Sequence, residues 1–296
     1  MATVFNGRKI AQNIKQEVKN ELSQLKEVTH KTPGLAAILV GERKDSQIYF
    51  RMKKKSAEEV GIKIFETIFP ENTTQEEIEK VIQKYNQDTN IHGILVELPL
   101  PIHINQAQIL DMIDEKKDVD GFTPQSVGKL AMKDRDPLFS GCTPLGCIEL
   151  LDRYNIPIES KHAVVVGRSN LVGLPTSMLL LNRNATVTIV HSKTTDIHEK
   201  ISQADILVAA IQKPEFIQGS WLKKGAVVLD VGINQIPDKT QKSGFRIVGD
   251  VDFENAKVSL GEDGFITPVP GGLGPMTIAM LMRNVLKSFK MHELKN

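Results

Sequence analysis

Three polar side chains lie at helical spacing in the first part of the chain. Ser46, Tyr49 and Lys53 occupy positions i, i+3 and i+7, which places them on one face of a predicted helix. An amine on such a face can give or take a proton, and a phenol ring can stack on a flat ligand. Lys53 also opens a run of three lysines, and such runs usually form a solvated helix edge. The residues alone leave catalysis and a plain surface helix both open.

A carboxylate interrupts an apolar segment further along. The segment GILVELPLP (93–101) has the composition of a buried strand except for Glu97. A buried charge is costly unless it is paired, so Glu97 requires a partner.

The segment KDVDGF (117–122) carries two aspartates ahead of a glycine. It lacks the remaining ligands of a calcium loop, and by itself it is typical of an Asp-Gly turn. Cys142 and Cys147 have no second pair to complete a zinc site, and they indicate reduced thiols in a cytosolic protein. We therefore predict no metal site.

The segment VVVGRSNLVGLP (164–175) places Gly167 and Gly173 at a strand-to-helix turn. Missing side chains there let a pyrophosphate approach main-chain N–H groups and the helix N-terminus. Ser169 stands where the middle glycine of the fingerprint is usual, so a plain tight turn is the alternative.

The next predicted strand bears on cofactor choice. An NAD-preferring site has an acid there to hold the ribose hydroxyls, whereas this strand ends in His191-Ser192-Lys193-Thr194. These residues suit a 2′-phosphate better, and Arg168 adds a second positive group. The sequence favours NADP, with a solvated basic turn as the alternative.

The segment TPVPGGLGPMT (267–277) is rich in glycine and proline directly ahead of a predicted helix that has Pro275 in its first turn. A stiff loop with few side chains lets a ligand come close to the backbone. An interdomain hinge has the same composition.

Short β-branched runs alternate with longer amphipathic stretches, which predicts an α/β fold of βαβ units with parallel sheets. The predicted strands are LAAILV (35–40), GILVEL (93–98), HAVVVG (162–167), ATVTIV (185–190), ADILVAA (204–210) and GAVVLDVG (225–232). The last four are spaced as in a Rossmann-like dinucleotide-binding sheet. We predict an N-terminal domain over residues 1–145, joined by a C-terminal helix at 275–296, and a nucleotide-binding domain over residues 146–274.

Composition limits the choice of partner. The chain has 296 residues, with 37 Lys and Arg against 36 Asp and Glu, a net charge of +1. Such a balance provides no overall field to hold nucleic acid or an anionic membrane, and no apolar run has membrane-spanning length. A small-molecule partner and a cytoplasmic location are expected.

Together these segments resemble one family, the bifunctional methylenetetrahydrofolate dehydrogenase/methenyltetrahydrofolate cyclohydrolases. The resemblance rests on VGERKDSQIYFRMK, GILVELPLP, KDVDGF, CTPLG, VVVGRSNLVGLP, TVTIVHSKT, ADILVAA, VVLDVGIN, GDVDF and TPVPGGLGPMT, in the expected order. It implies a homodimer that oxidises 5,10-methylenetetrahydrofolate to the 5,10-methenyl form with NADP and hydrolyses the product to 10-formyltetrahydrofolate.

The resemblance also implies residue roles. Lys53 becomes the acid–base group of hydrolysis, Tyr49 stacks on the folate, Asp120 binds the pterin edge, and Glu97 completes the catalytic set. The implied folate contacts further include Val96, Leu98, Pro270, Gly271, Gly272, Leu273 and Gly274. The implied NADP contacts are Gly167, Arg168, Ser169, Ser192 and Ile233.

Three positions depart from the family pattern. Glu97 replaces Gln, Gln212 replaces a glycine, and Gly141 replaces a proline. An ionised Glu97 facing Lys53 raises the pKa of the amine, whereas a protonated one substitutes for Gln. Because Glu97 replaces the family Gln, one alternative is a dehydrogenase with weak or lost cyclohydrolase activity. A second alternative, from another class of protein, is a non-catalytic NADP- or folate-binding protein.

Overall fold

The computed structural model describes residues 1–241 and 244–294, and the chain divides into two compact units. The three-stranded unit comprises Gln12–Cys142 and Ile278–Asn296, and the six-stranded unit comprises Met1–Ala11 and Thr143–Thr277. We name each unit after its parallel sheet. The predicted α/β class is confirmed.

The strands of the two units are β1 (Thr3–Val4), β2 (Gly34–Val40), β3 (Lys63–Phe69), β4 (Gly93–Val96), β5 (His162–Val166), β6 (Thr186–Val190), β7 (Ile206–Ala209), β8 (Val227–Asp230), β9 (Asn234–Pro237), β10 (Phe245–Val248) and β11 (Phe265–Ile266). All six predicted runs form strands, and the structure adds the seven-residue strand β3 and the short strands β1, β9, β10 and β11, which were not predicted. The helices are α1 (Gly7–Thr29), α2 (Lys44–Val60), α3 (Gln75–Gln87), α4 (Gln106–Asp111), α5 (Pro124–Leu130), α6 (Cys142–Arg153), α7 (Gly173–Asn182), α8 (Ile197–Ser202), α9 (Phe253–Ser259) and α10 (Leu273–Glu293).

The sheet of the three-stranded unit has the order β3-β2-β4, with every pairing parallel. Strands β2 and β4 are buried along their whole length, as their apolar runs predict. Strand β4 ends at Val96, one residue before Glu97. The strand therefore delivers Glu97 to the carboxyl edge of the sheet.

Local signals set the helix ends in this unit. Helix α2 stops where Gly61 adopts the left-handed conformation (φ 91°), which glycine accepts without strain. Helix α3 starts at a capping box, in which Thr74 accepts from the Glu77 N–H and the Glu77 side chain accepts from the Thr74 N–H.

The sheet of the six-stranded unit has the order β1-β11-β8-β7-β5-β6. All its pairings are parallel. The N-terminal strand β1 pairs with β11, so residues 1–11 belong to this unit. Strands β9 and β10 form a separate antiparallel hairpin.

None of the helices within residues 1–241 and 244–294 combines the length and hydropathy needed to cross a bilayer. The same residues contain no group of three or more His, Cys, Asp and Glu side chains arranged to hold a metal ion.

Candidate active site

Helix α2 separates the three lysines of the KKK run. Lys53 points inward, and its side chain is only 15% exposed. Lys54 instead pairs with Glu66 at the surface (2.5 Å), and Lys55 is exposed. Lys54 and Lys55 therefore lie on a solvated helix edge, as is usual for a run of lysines, whereas Lys53 does not.

The partner of Glu97 is Lys53. The ammonium nitrogen Nζ lies 2.9 Å from Glu97 Oε2, and the Glu97 side chain is only 7% exposed. The Glu97 N–H donates to Ile38 O at 2.9 Å, which fixes the backbone of Glu97 against β2. Because so little of the pair reaches solvent, the attraction is weakly screened.

The pKa of Lys53 reflects two opposing effects. Burial by itself lowers this pKa, but the charges of Glu97 and then Asp120 outweigh burial and raise it above the usual value. The structure therefore favours the ammonium form of Lys53.

Asp120 is the third charged group of this cluster. Burial raises its pKa to about 6, and the Lys53 charge opposes that rise. The turn that presents Asp120 needs glycine next, because Gly121 has a φ of 68° and a Cβ there would lie 2.4 Å from the carbonyl carbon of Ser140.

The rest of KDVDGF anchors that turn. The buried Lys117 ammonium donates to Tyr85 O, Asn86 O and Asp88 O, at 2.8–2.9 Å, and so binds the carbonyls that end α3. The Asp118 carboxylate accepts from Phe122 N, Thr123 N, Thr123 Oγ1 and Ser126 Oγ, which fixes the start of α5.

Cys142 lies beside Asp120. Its sulfur lies 3.4 Å from Val119 O and 3.6 Å from Asp120 Oδ1, so the single S–H is shared between these two acceptors. Asn284 of α10 donates to Val119 O at 2.7 Å and to Ser140 O at 3.2 Å. Burial raises the pKa of the Cys142 thiol well above its usual value, so the thiol stays protonated.

The remaining residues singled out in this unit lie on the same two chain segments as Lys53 and Glu97. Tyr49 lies one turn before Lys53 on α2 and is half-buried, and Ser46 is buried. Val96 is buried at the end of β4, and Leu98 is half-buried just beyond it.

The glycine turn of the six-stranded unit follows β5. Gly167 has a φ of 121°, and a Cβ there would lie 2.2 Å from Ala210 O. A Cβ on Gly173 would lie 2.3 Å from Gly167 O. Both positions therefore exclude any side chain. The Ser169 hydroxyl accepts from Val172 N (3.2 Å) and Gly173 N (3.3 Å), so it fixes the turn without a third glycine.

The turn after β6 is also ordered by its own residues. The Thr194 hydroxyl accepts from His191 N at 3.0 Å, which leaves Ser192 and Lys193 exposed at the tip. Arg168 and Ile233 are exposed as well, two residues after the end of β5 and three residues after the end of β8, respectively. A turn that excludes side chains, together with exposed basic groups, suits an anionic dinucleotide.

Pro270, Gly271, Gly272, Leu273 and Gly274 form the entry to α10. The helix begins at Leu273, and Pro275 lies in its first turn as predicted. A Cβ on Gly7 would lie 2.1 Å from Gly272 O, so the chain packs backbone against backbone here.

Sequence reasoning missed several buried groups, among them Asn284 and the carboxylates Asp230 and Asp250. The two aspartates lie in VVLDVGIN and GDVDF, and an acid directly after apolar residues was the available signal. The same signal had singled out Glu97.

A parallel sheet with a glycine turn, together with a buried lysine–carboxylate cluster, is the combination expected of a dinucleotide-dependent enzyme that uses acid–base chemistry. Residues 5–120 match the catalytic domain and residues 141–293 the NAD(P)-binding domain of tetrahydrofolate dehydrogenase/cyclohydrolase. The chain belongs to the tetrahydrofolate dehydrogenase/cyclohydrolase family.

Individual relatives match over nearly their full length. The chain is 52% identical to "Bifunctional protein FolD 2" of Arabidopsis thaliana, over 98% of this chain and 96% of that protein. It is 50% identical to "Bifunctional protein FolD" of Chloroherpeton thalassium, over 97% of this chain and 98% of that protein. Among solved structures, the Trypanosoma brucei dehydrogenase-cyclohydrolase complexed with NADP and an inhibitor superposes with a TM-score of 0.93 at 41% identity, covering 98% of each chain.

Lys117→Met tests whether the buried ammonium supports the turn that carries Asp120. We expect the free energy of unfolding to fall by about 1–3 kcal/mol, because buried carbonyl acceptors lose their donors. Urea denaturation measures it. Lys116→Met is the matched control, since the Lys116 side chain is exposed. Equal stability of the two variants would contradict the anchoring role of Lys117.

Proposed function

We propose that this protein oxidises 5,10-methylenetetrahydrofolate to 5,10-methenyltetrahydrofolate with NADP, and then adds water to give 10-formyltetrahydrofolate and a proton. The observation that carries the proposal is the buried contact of Lys53 with Glu97 beside Asp120, in a chain of this family. Titratable groups with perturbed pKa values cluster at functional sites, which favours an enzyme over a non-catalytic binding protein.

We assign folate binding to residues 1–145 with the helix at 275–296, and NADP binding to residues 146–274. The catalytic-domain match over residues 5–120 and the start of the NAD(P)-binding match at residue 141 support this order along the chain. The NAD(P)-binding match also includes residues 275–293, and we assign the C-terminal helix to folate because the chain from Ile278 onward belongs to the three-stranded unit. Residues 1–11 belong to the six-stranded unit.

NADP, when bound, accepts the hydride lost by the methylene carbon. The protein contributes orientation, with Gly167, Arg168, Ser169, Ser192 and Ile233 as the proposed cofactor contacts.

For folate, we assign stacking to Tyr49 and a pterin hydrogen bond to Asp120. With a pKa of about 6, Asp120 is mostly ionised at neutral pH and accepts from a pterin N–H. The further proposed folate contacts are Val96, Glu97, Leu98, Pro270, Gly271, Gly272, Leu273 and Gly274.

In hydrolysis, Lys53 takes a proton from the attacking water, which requires the neutral amine. Glu97 opposes this form, because its charge raises the pKa of Lys53. The same charge stabilises the cationic methenyl group that oxidation produces. We therefore assign to Glu97 a bias towards the first reaction over the second.

We also propose a cytoplasmic homodimer. The family resemblance supports the homodimer. A relative named as the cytoplasmic C-1-tetrahydrofolate synthase of Schizosaccharomyces pombe supports the location, and other relatives are chloroplastic or mitochondrial. Sedimentation equilibrium of the purified chain measures the association state.

Lys53→Met tests the acid–base assignment. We expect hydrolysis of the methenyl compound to be abolished while folate and NADP still bind, because Met preserves length but cannot accept a proton. Absorbance of the methenyl compound follows the reaction. Lys54→Met is the matched control, and hydrolysis by Lys53→Met at the parental rate would exclude the role.

Glu97→Gln tests the proposed bias. Loss of the carboxylate lowers the pKa of Lys53, so more neutral amine is present at a given pH, by about tenfold for each pKa unit. We expect faster hydrolysis, a pH–rate profile displaced to lower pH between pH 6 and 9, and less released methenyl intermediate. Glu66→Gln, which removes the partner of Lys54, controls for loss of a carboxylate. Equal or slower hydrolysis by Glu97→Gln would refute the bias.

Arg168→Ala tests cofactor choice. The parent should use NADP more efficiently than NAD, because no acid lies in residues 191–194. The variant should lose roughly tenfold to a hundredfold in kcat/KM for NADP and much less for NAD, since a charge-assisted phosphate contact contributes about 1.5–3 kcal/mol. Arg183→Ala, at an exposed pair with Asp152, is the control. A parental preference for NAD would overturn the assignment.

A further inference from the structure

Two aspartates lie buried together in the six-stranded unit, and the proposed chemistry uses neither. Asp230 ends β8 and is 3% exposed, and Asp250 follows β10 and is fully buried. Asp230 Oδ1 accepts from Gly232 N and Asp250 N, and Oδ2 accepts from Val251 N, each at 2.9 Å. The Asp230 carboxylate therefore fixes the backbone at Asp250.

Asp250 in turn binds the turn that follows β7. Its Oδ2 accepts from Ile211 N (2.7 Å) and Gln212 N (3.1 Å), and its Oδ1 accepts from Lys213 N (2.8 Å). Three successive N–H groups thus converge on one carboxylate. They hold Gln212 at a φ of 54°, a conformation that disfavours any residue with a side chain.

The same two carboxylates fix both neighbours of Ile233. Asp230 accepts from Gly232 N, and Asn234 Nδ2 donates to Asp250 Oδ1 at 2.9 Å. A Cβ on Gly232 would lie 2.4 Å from the Asp250 carboxylate, so the loop packs directly on it. Ile233 itself is 39% exposed, so its apolar side chain reaches solvent although hydrogen bonds fix both of its neighbours.

The sheet order shows which strand ends lie beside the turn 211–213 and Ile233. Strands β6, β5, β7 and β8 are consecutive neighbours, and their carboxyl ends share one edge. The proposed 2′-phosphate contacts follow β6, and the glycine turn follows β5. A dinucleotide that crosses such an edge continues over β7 and β8, where the turn 211–213 and Ile233 lie.

We propose that Asp250, held by Asp230, is a positioning residue for the nicotinamide half of NADP. It acts through the turn 211–213 and Asn234, without touching the cofactor. This inference rests on the proposed NADP function of the six-stranded unit.

Asp250→Asn tests it by binding rather than turnover. An amide has one acceptor oxygen, so the variant loses the main-chain bonds on one side and places an NH₂ group against N–H donors. Calorimetry compares NADP with adenosine 2′,5′-bisphosphate, which carries the 2′-phosphate but no nicotinamide. We expect NADP to bind about tenfold more weakly, as for one lost hydrogen bond, and the fragment to bind within twofold of the parent.

Two further variants complete the experiment. Asp238→Asn, on the hairpin between β9 and β10, is the matched control and should bind both ligands as the parent does. Asn234→Ala leaves the main-chain bonds to Asp250 in place and should show the same selective loss, which keeps the inference testable if Asp250→Asn fails to fold.

The outcomes separate the inference from the function on which it rests. Selective loss of NADP affinity supports the inference. Unchanged NADP affinity, or equal loss of both ligands in a folded variant, overturns it while the NADP function stands. Failure of the parent to bind either ligand overturns the NADP function and the inference together.

Discussion

Parallel strand pairing is the constraint on which both candidate sites depend. In the three-stranded unit, β2 pairs in parallel with β3 and β4, so the carboxyl ends of all three lie at one edge. The chain leaves β2 into α2, which carries Lys53, and leaves β4 at Glu97. The ion pair therefore joins residues 44 positions apart along the sequence. The same rule brings the glycine turn after β5 to the edge shared with β6, β7 and β8.

Buried charge costs desolvation free energy in this arrangement, and hydrogen bonds offset part of that cost. In the part of the chain that the structure describes, no buried side-chain nitrogen or oxygen lacks a partner. Lys117, Asp118 and Asp250 each bind several backbone groups, so they serve as fixed supports. Asp230 shows the desolvation cost that remains, since burial raises its pKa to about 7 even though three N–H groups donate to it.

The departures from the family pattern have different physical consequences. Gln212 keeps the left-handed backbone that suits a glycine, at a cost of roughly 1–2 kcal/mol, while its N–H binds Asp250. Ser169 is not a departure from the family, but it stands where the general dinucleotide fingerprint has a glycine, and it hydrogen-bonds the turn itself. Glu97 alone changes the charge beside a candidate catalytic group. Substitutions in the turns preserve geometry, whereas this one alters the protonation equilibrium of Lys53.

The sequence by itself determined the α/β class, six of the strands, the glycine turn, and the position of Glu97 as an acid in an apolar run that requires a partner. These features depend on local periodicity, turn chemistry and composition. The sequence left Lys53 unresolved from its neighbours in KKK, and it did not reveal the thiol contact of Cys142 with Asp120 or the Asp230–Asp250 support. Only the tertiary structure decided these points, because burial and pKa depend on groups that are distant in the chain and meet only when the strands pair.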